Sequence, residues 1–243
     1  MRKLLLMSTL MLYLCSPIYP SDKPDVIRPT KGTGRTFNRS YIDGLRDISK
    51  LSADKLEDAW IFDGVEWKDV CYGKASKGKI DDDTLESVLI RGGKNKKYIL
   101  VHNHTSGDSY DPPSRADMFS AMFFQSNFSE YNLKFQVTDK HGVWTFFWNK
   151  LPNISKSESE ILRKNDNSID YEIEHYAELD SIEKKVRPIY NRLTNVVNEY
   201  LSSYILLGKI FRNDGFENAY LNLKHNIEKE GISLQFTPYE NLK

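Results

Sequence analysis

The chain has 243 residues, enough for one or two domains with a real hydrophobic core. Thirty-four Lys and Arg offset 34 Asp and Glu, 34 − 34 = 0, so the overall balance points to neither nucleic acid nor an anionic membrane as partner. Only two cysteines occur, Cys15 and Cys71, and the first lies in a leader, so an intrachain disulfide and a cysteine-rich zinc site are both excluded in a mature chain.

Residues 1–20 have the shape of a secretory signal peptide. Arg2-Lys3 is a basic start, and Leu4 to Cys15 is an apolar stretch of twelve, too short to cross a membrane. No Ala-x-Ala cleavage site follows. Leu12-Tyr13-Leu14-Cys15 has the outline of a lipoprotein box, but the bulky Leu14 stands where such boxes need a small residue. An uncleaved anchoring helix is the remaining alternative. The expectation is an exported protein, periplasmic or secreted. Residues 21–40 carry prolines, glycines and basic residues without periodicity and read as a linker. Lys31-Gly32-Thr33-Gly34 does not have the spacing of a phosphate-binding loop.

From Tyr41 the pattern is helical, with Ile42, Leu45, Ile48, Leu51 and Leu56 at three- and four-residue intervals. Ala59 to Phe62 reads as a strand, Asp63-Gly64 as a turn, and Val65 to Tyr72 as a second strand. Gly73 to Asp83 reads as a polar loop, Leu85 to Ile90 as a short helix or strand, and Gly92 to Asn95 as a turn. Tyr98 to Val101 is a continuous apolar run, the pattern of a buried strand. Ser114 is a natural N-cap for a helix through Met118 to Phe124. Leu133 to Thr138 and Val143 to Trp148 form a hairpin around Asp139 to Gly142. Residues 41–150 thus form an α/β unit built on a mixed β-sheet flanked by helices.

Residues 151–243 read as an α-helical C-terminal extension. Ile169, Ile173, Tyr176, Leu179 and Ile182 recur at helical spacing, and Pro188 is placed to kink or divide that segment. Tyr190 to Phe211 is amphipathic, with Gly208 placed to loosen or end it, and Phe216 to Lys229 is a further helix capped by Gly231. These helices either pack on the α/β unit or one another, or offer a surface to a protein partner. No motif decides between these, nor does any fix the oligomeric state.

The chemistry sits after the apolar run. Strand alternation projects His102 and His104 to one side, where both imidazoles can reach one metal ion. Asp117 falls in the first turn of the helix capped by Ser114, and can bring a carboxylate oxygen from a separate element. Two His and one carboxylate leave the fourth position of a tetrahedral zinc open to water, the arrangement of a catalytic site. The bland readings are a surface histidine, a capping serine, and an aspartate that favours the positive helix end. His141, His175 and His225 read as surface residues, and Cys71 as a small buried apolar residue.

His102-Asn103-His104-Thr105-Ser106-Gly107-Asp108, followed by Pro113-Ser114-Arg115-Ala116-Asp117, resembles the metal motif of the JAB/JAMM (MPN-type) metalloprotease superfamily. It is most similar to the RadC-like branch, whose hallmark reads His-Asn-His-Pro-Ser-Gly-Asp … Pro-Ser-x-x-Asp. Thr105 replaces a proline, and nine residues, Thr105 to Pro113, separate His104 from Ser114 where the family has seven. The resemblance covers about residues 41–150. It implies a JAB/MPN-like fold, Zn2+ held by His102, His104 and Asp117, and hydrolysis of a peptide or isopeptide bond in a peptide or protein substrate. It also implies a glutamate general base with a glycine about seven residues later. Glu57 fits, seven before Gly64, while Glu66 and Glu86 are the alternatives. The family's serine implies an oxyanion-donor role for Ser114, and Asp108 is expected to organise the loop. The same branch also implies an alternative, a catalytically inactive metal-binding module of a secreted effector or structural assembly. Two other families fit less well. The His-Asn-His nuclease motif is a spaced one rather than three consecutive residues, and His-x-His phosphoesterases need several further His and Asp ligands spread over a longer barrel, where this chain has only three other histidines.

Overall fold

The computed structural model describes residues 36–50, 58–72, 79–104, 110–152, 155, 157–158, 176–208 and 214–242. The leader, most of the linker, Glu57, Asp108 and His175 lie outside them. Among the described residues, no helix is long and apolar enough to cross a membrane.

In chain order the elements are β1 (Thr36–Phe37), α1 (Tyr41–Lys50), β2 (Ala59–Phe62), β3 (Trp67–Asp69), β4 (Cys71–Tyr72), β5 (Lys79–Ile80), α2 (Asp82–Gly92) and β6 (Lys97–Asn103). Then come α3 (Arg115–Asn127), β7 (Asn132–Thr138), β8 (Gly142–Trp148), α4 (Tyr176–Gly208), α5 (Asp214–Lys229), β9 (Ile232–Pro238) and a 3-10 turn, Tyr239–Asn241. The fold is mixed α/β. Seven strands form one sheet in the order β1-β3-β2-β6-β7-β8-β9, and β4 pairs separately with β5. β6 and β7 are parallel, with α3 as the crossover between them in sequence, while β2 pairs antiparallel with β6 and β7 with β8. Several segments differ from their sequence reading: Lys79–Ile80, in the expected polar loop, pairs with Cys71–Tyr72, and the expected strand Val65 to Tyr72 divides into β3 and β4 in separate sheets. Thr36–Phe37, in the expected linker, pairs with β3, and Ile232–Pro238 follows the helices as an edge strand. The Leu85–Ile90 ambiguity resolves as helix, and α4 runs through Pro188 without interruption.

The described residues fall into two compact units. The first comprises 36–113, 128–146 and 236–242. Its central strand is β6, bonded on both edges, which is why its middle is apolar on both faces. Ile99 and Val101 pack with Leu45 and Ile48 of α1 and with Trp67 and Val143. Tyr98 points to the opposite face, where its hydroxyl donates to the carbonyls of Leu89, at 3.3 Å, and Gly93, at 2.9 Å, at the end of α2. Ser40 caps α1, its hydroxyl accepting the Asp43 N–H and donating to the Asp43 carboxylate. Gly44 sits inside α1 against propensity because a Cβ there would overlap the Trp67 indole. Gly93 ends α2 at φ +83°, returning its N–H to Leu89 O.

The second unit comprises 114–127 and 147–235. Trp148 is tied to α3 three times. Its indole N–H donates to Met118 O at 2.7 Å, and its backbone exchanges hydrogen bonds with the Gln125 amide. Ile182, Val186, Leu193, Val197 and Tyr200 make the buried stripe of α4, and Ala219, Leu223 and Ile227 that of α5. Both stripes follow the three-to-four-residue period of an amphipathic helix. Ile232 and Leu234 of β9 are buried as well.

Candidate metal centre

His102 is the last outward-alternating residue of β6, and His104 is the first residue past the strand. His104 still follows the sheet, because its N–H donates to Thr138 O at 3.1 Å. Between them Asn103 turns to the other face, fully buried, where its side-chain oxygen accepts the Asp58 N–H at 2.7 Å. The middle residue of His-Asn-His is therefore a structural pin, and it lets the two imidazoles share a side. His102 Nε2 and His104 Nε2 lie 3.1 Å apart. Two nitrogens on one tetrahedral zinc, each about 2.0–2.1 Å from it, stand about 3.3–3.4 Å apart, so the donor spacing fits.

Asp117 lies in the first turn of α3, as its spacing from Ser114 requires. Ser114 Oγ accepts the Asp117 N–H at 3.2 Å, and the Asp117 carboxylate accepts the Ser114 N–H at 2.6 Å. This reciprocal cap fixes the carboxylate at a helix N-terminus. The ligand atoms of His102, His104 and Asp117 all lie within 4.8 Å of one another. The group can hold a metal ion. Two imidazoles and a carboxylate are donors that suit a divalent transition ion and leave coordination positions open.

Of the three glutamates raised by the sequence, Glu66 and Glu86 lie among the described residues, and Glu57 does not. Ala59 stands opposite His102 and Phe62 opposite Ile99, so the start of β2 is at the histidine end of β6. Asp58, the chain neighbour of Glu57, exchanges hydrogen bonds with Asn103. Glu66 belongs to the β2–β3 turn at the other end, about 10 Å along the strands, where its carboxylate pairs with Lys68 at 2.8 Å. Glu86 is exposed on α2.

Two aspartates near the histidines carry no motif and were not singled out from sequence. Asp111 Oδ2 lies 3.2 Å from His104 Nδ1. Asp139, 2% exposed, uses one carboxylate oxygen for the N–H groups of His141 and Gly142, and the other for the Asp111 N–H and the Trp144 indole. A signal for Asp139 did exist, since an aspartate opening a hairpin commonly accepts the N–H groups two and three residues on. The expectation of a solvated His141 is corrected. Its ring stacks on Tyr110 at 4.0 Å between centroids and it is half-buried, because the pinned turn presents it to the segment after the histidines. Cys71 is buried, as expected of a small apolar residue.

Compared with protein-family models, with curated proteins and with solved structures, the chain matches none.

Proposed function

We propose that this chain is an exported zinc-dependent metallopeptidase of the JAB/JAMM type, which hydrolyses a peptide or isopeptide bond. The observation that carries the reading is the convergence of His102, His104 and Asp117 from a strand end and a helix N-terminus. Zinc at such a donor set supplies a coordinated water acidified toward neutrality and polarises a substrate carbonyl. The chain's own residues do the rest. Glu57 accepts the proton of the attacking water and returns it to the leaving amine. The position of Asp58 beside Asn103 supports Glu57 over Glu66, whose carboxylate is engaged with Lys68 at the far end of β2. Ser114 Oγ accepts a hydrogen bond in the cap, which leaves its own proton free to be donated to an oxyanion. The substrate class is a peptide or protein, and the signal-like leader supports a reaction in the periplasm or outside the cell.

A second reading draws on the same cap. Ser114 and Asp117 satisfy each other as a helix N-terminus, which needs no catalysis to explain it. The chain would then be a catalytically inactive metal-binding module, with the C-terminal helices as a partner surface.

Mass-spectrometric metal content of protein purified without a metal-binding tag tests both. The comparison is wild type, His102→Ala with His104→Ala, and Glu57→Gln. The metallopeptidase reading expects one zinc in wild type, none in the double variant, and one in Glu57→Gln with hydrolysis of a peptide library abolished. Absence of zinc from fresh wild type overturns it. Zinc retained without hydrolysis of any peptide favours the module.

A further inference from the structure

We propose that Asp111 is the positioning residue of the metal centre: its carboxylate receives the Nδ1–H of His104, which leaves His104 Nε2 unprotonated and turned toward His102 Nε2. The inference rests on the metal-centre reading and deepens it.

A histidine that binds a metal through Nε2 must carry its proton on Nδ1, and a carboxylate at Nδ1 sets that tautomer and holds the ring. Asp111 Oδ2 is 3.2 Å from His104 Nδ1, at ion-pair distance but off the line of an N–H···O hydrogen bond, so a turn of the ring or carboxylate completes the bond. The aspartate is itself held from several directions. Its backbone N–H donates to Asp139 Oδ2 at 3.0 Å. Asp139 is anchored in turn by the N–H groups of His141 and Gly142 and by the Trp144 indole. On one side of Asp111, Tyr110 stacks on His141 with an interplanar angle of 13°. On the other, Pro112 and Pro113 are buried, and a proline at 112 biases Asp111 toward extended backbone. The imidazole is equally constrained, since His104 is buried and its N–H is bonded to Thr138 O. A relay runs from the β7–β8 hairpin through Asp139 and Asp111 to His104. The nine residues between His104 and Ser114 thus include an arm that orients a ligand.

Once made, that hydrogen bond also decides the proton between the two histidines. With Nδ1–H on His104, His104 Nε2 can only accept in its 3.1 Å contact with His102 Nε2, so His102 is the donor in metal-free protein.

Two readouts test this on the full chain. The first is long-range 1H–15N NMR of the His104 ring in metal-free wild type, Asp111→Ala and Asp111→Asn. The second is zinc affinity by competition with a chromogenic chelator. The expected result is the Nδ1–H tautomer in wild type, the Nε2–H tautomer in Asp111→Ala, and zinc affinity lower by about 10–100-fold in that variant. Asp111→Asn keeps an acceptor oxygen and should restore most of both. Metal-free thermal midpoints should be alike, because the Asp111 backbone anchor survives each substitution. An Nε2–H tautomer in wild type overturns the proposal without any variant. Equal zinc affinity in wild type and Asp111→Ala, with one zinc bound, overturns it and leaves the metal centre standing. Zinc binding no tighter in wild type than in His102→Ala with His104→Ala overturns the metal-centre reading and the proposal with it.

Discussion

Replacing Asp139 by Asn removes the carboxylate that organises the β7–β8 hairpin. Four N–H groups converge on it, from His141 at 2.7 Å, Gly142 at 3.0 Å, Asp111 at 3.0 Å and the Trp144 indole at 3.1 Å. An asparagine amide keeps one oxygen, so in either orientation two of those donors face an NH2 group. Hydrogen bonds to a charged acceptor contribute about 1.5–3 kcal/mol each, so losing two costs about 3–6 kcal/mol before relaxation. Removing a buried charge returns part of this by ending its desolvation cost. The expected net loss is about 2–4 kcal/mol. Urea unfolding at neutral pH should show it as a lower midpoint at unchanged slope. A second readout separates hairpin from site. Zinc affinity, measured where the variant remains folded, should fall, because either the Asp111 N–H loses its acceptor or the hairpin that carries that acceptor loses its own anchors. A destabilisation under about 1 kcal/mol would refute the view that the carboxylate holds this corner.

Two further outcomes follow from the packing and from titration. Gly44→Ala forces a Cβ into the Trp67 indole and should cost about 1–3 kcal/mol, read by urea unfolding with tryptophan fluorescence. A neutral or stabilising result would mean that α1 is not held against β3 as described. Burial works to raise the Asp63 carboxyl but is outweighed by the N–H groups of Glu66 and Val65 and by Lys96, leaving it below the usual carboxylate range. A lowered folded value means that the unfolded state binds the proton more readily. Asp63 therefore contributes stability that is present above its unfolded value, about 3.9, and lost as pH falls through the folded value. The stability gap between wild type and Asp63→Asn should close as pH falls from about 5 toward 2, and a gap independent of pH would contradict that origin.

Much of the site was legible because its signals are short in range. His102 and His104 are two residues apart across the end of a strand, and Ser114 and Asp117 are three apart at a helix start, so alternation and capping geometry alone place each pair. The apolar run Tyr98 to Val101 announced a strand with neighbours on both edges, and the Asp139 to Gly142 turn announced the hairpin. Local chemistry and periodicity were sufficient there, because each pattern is completed within one or two turns of chain.

Other features are decided by contacts that leave no periodic trace. Thr36–Phe37 becomes a strand only because β3 offers it an edge, and Ile232–Pro238 joins the sheet after two helices rather than ending a helical tail. The sequence favoured Glu57 by its helix-to-strand setting and kept Glu66 and Glu86 as alternatives. Only the β2–β6 register places Asp58 beside Asn103 and leaves Glu66 at the opposite end. Asp111 and Asp139 are 28 residues apart, and nothing in either segment names the other. The amino-acid sequence by itself therefore determined which side chains are chemically able to hold a metal ion and on which elements they ride. Tertiary structure decided which carboxylate stands behind His104 and which end of β2 faces the site, because strand register and loop docking are settled by the whole packed chain.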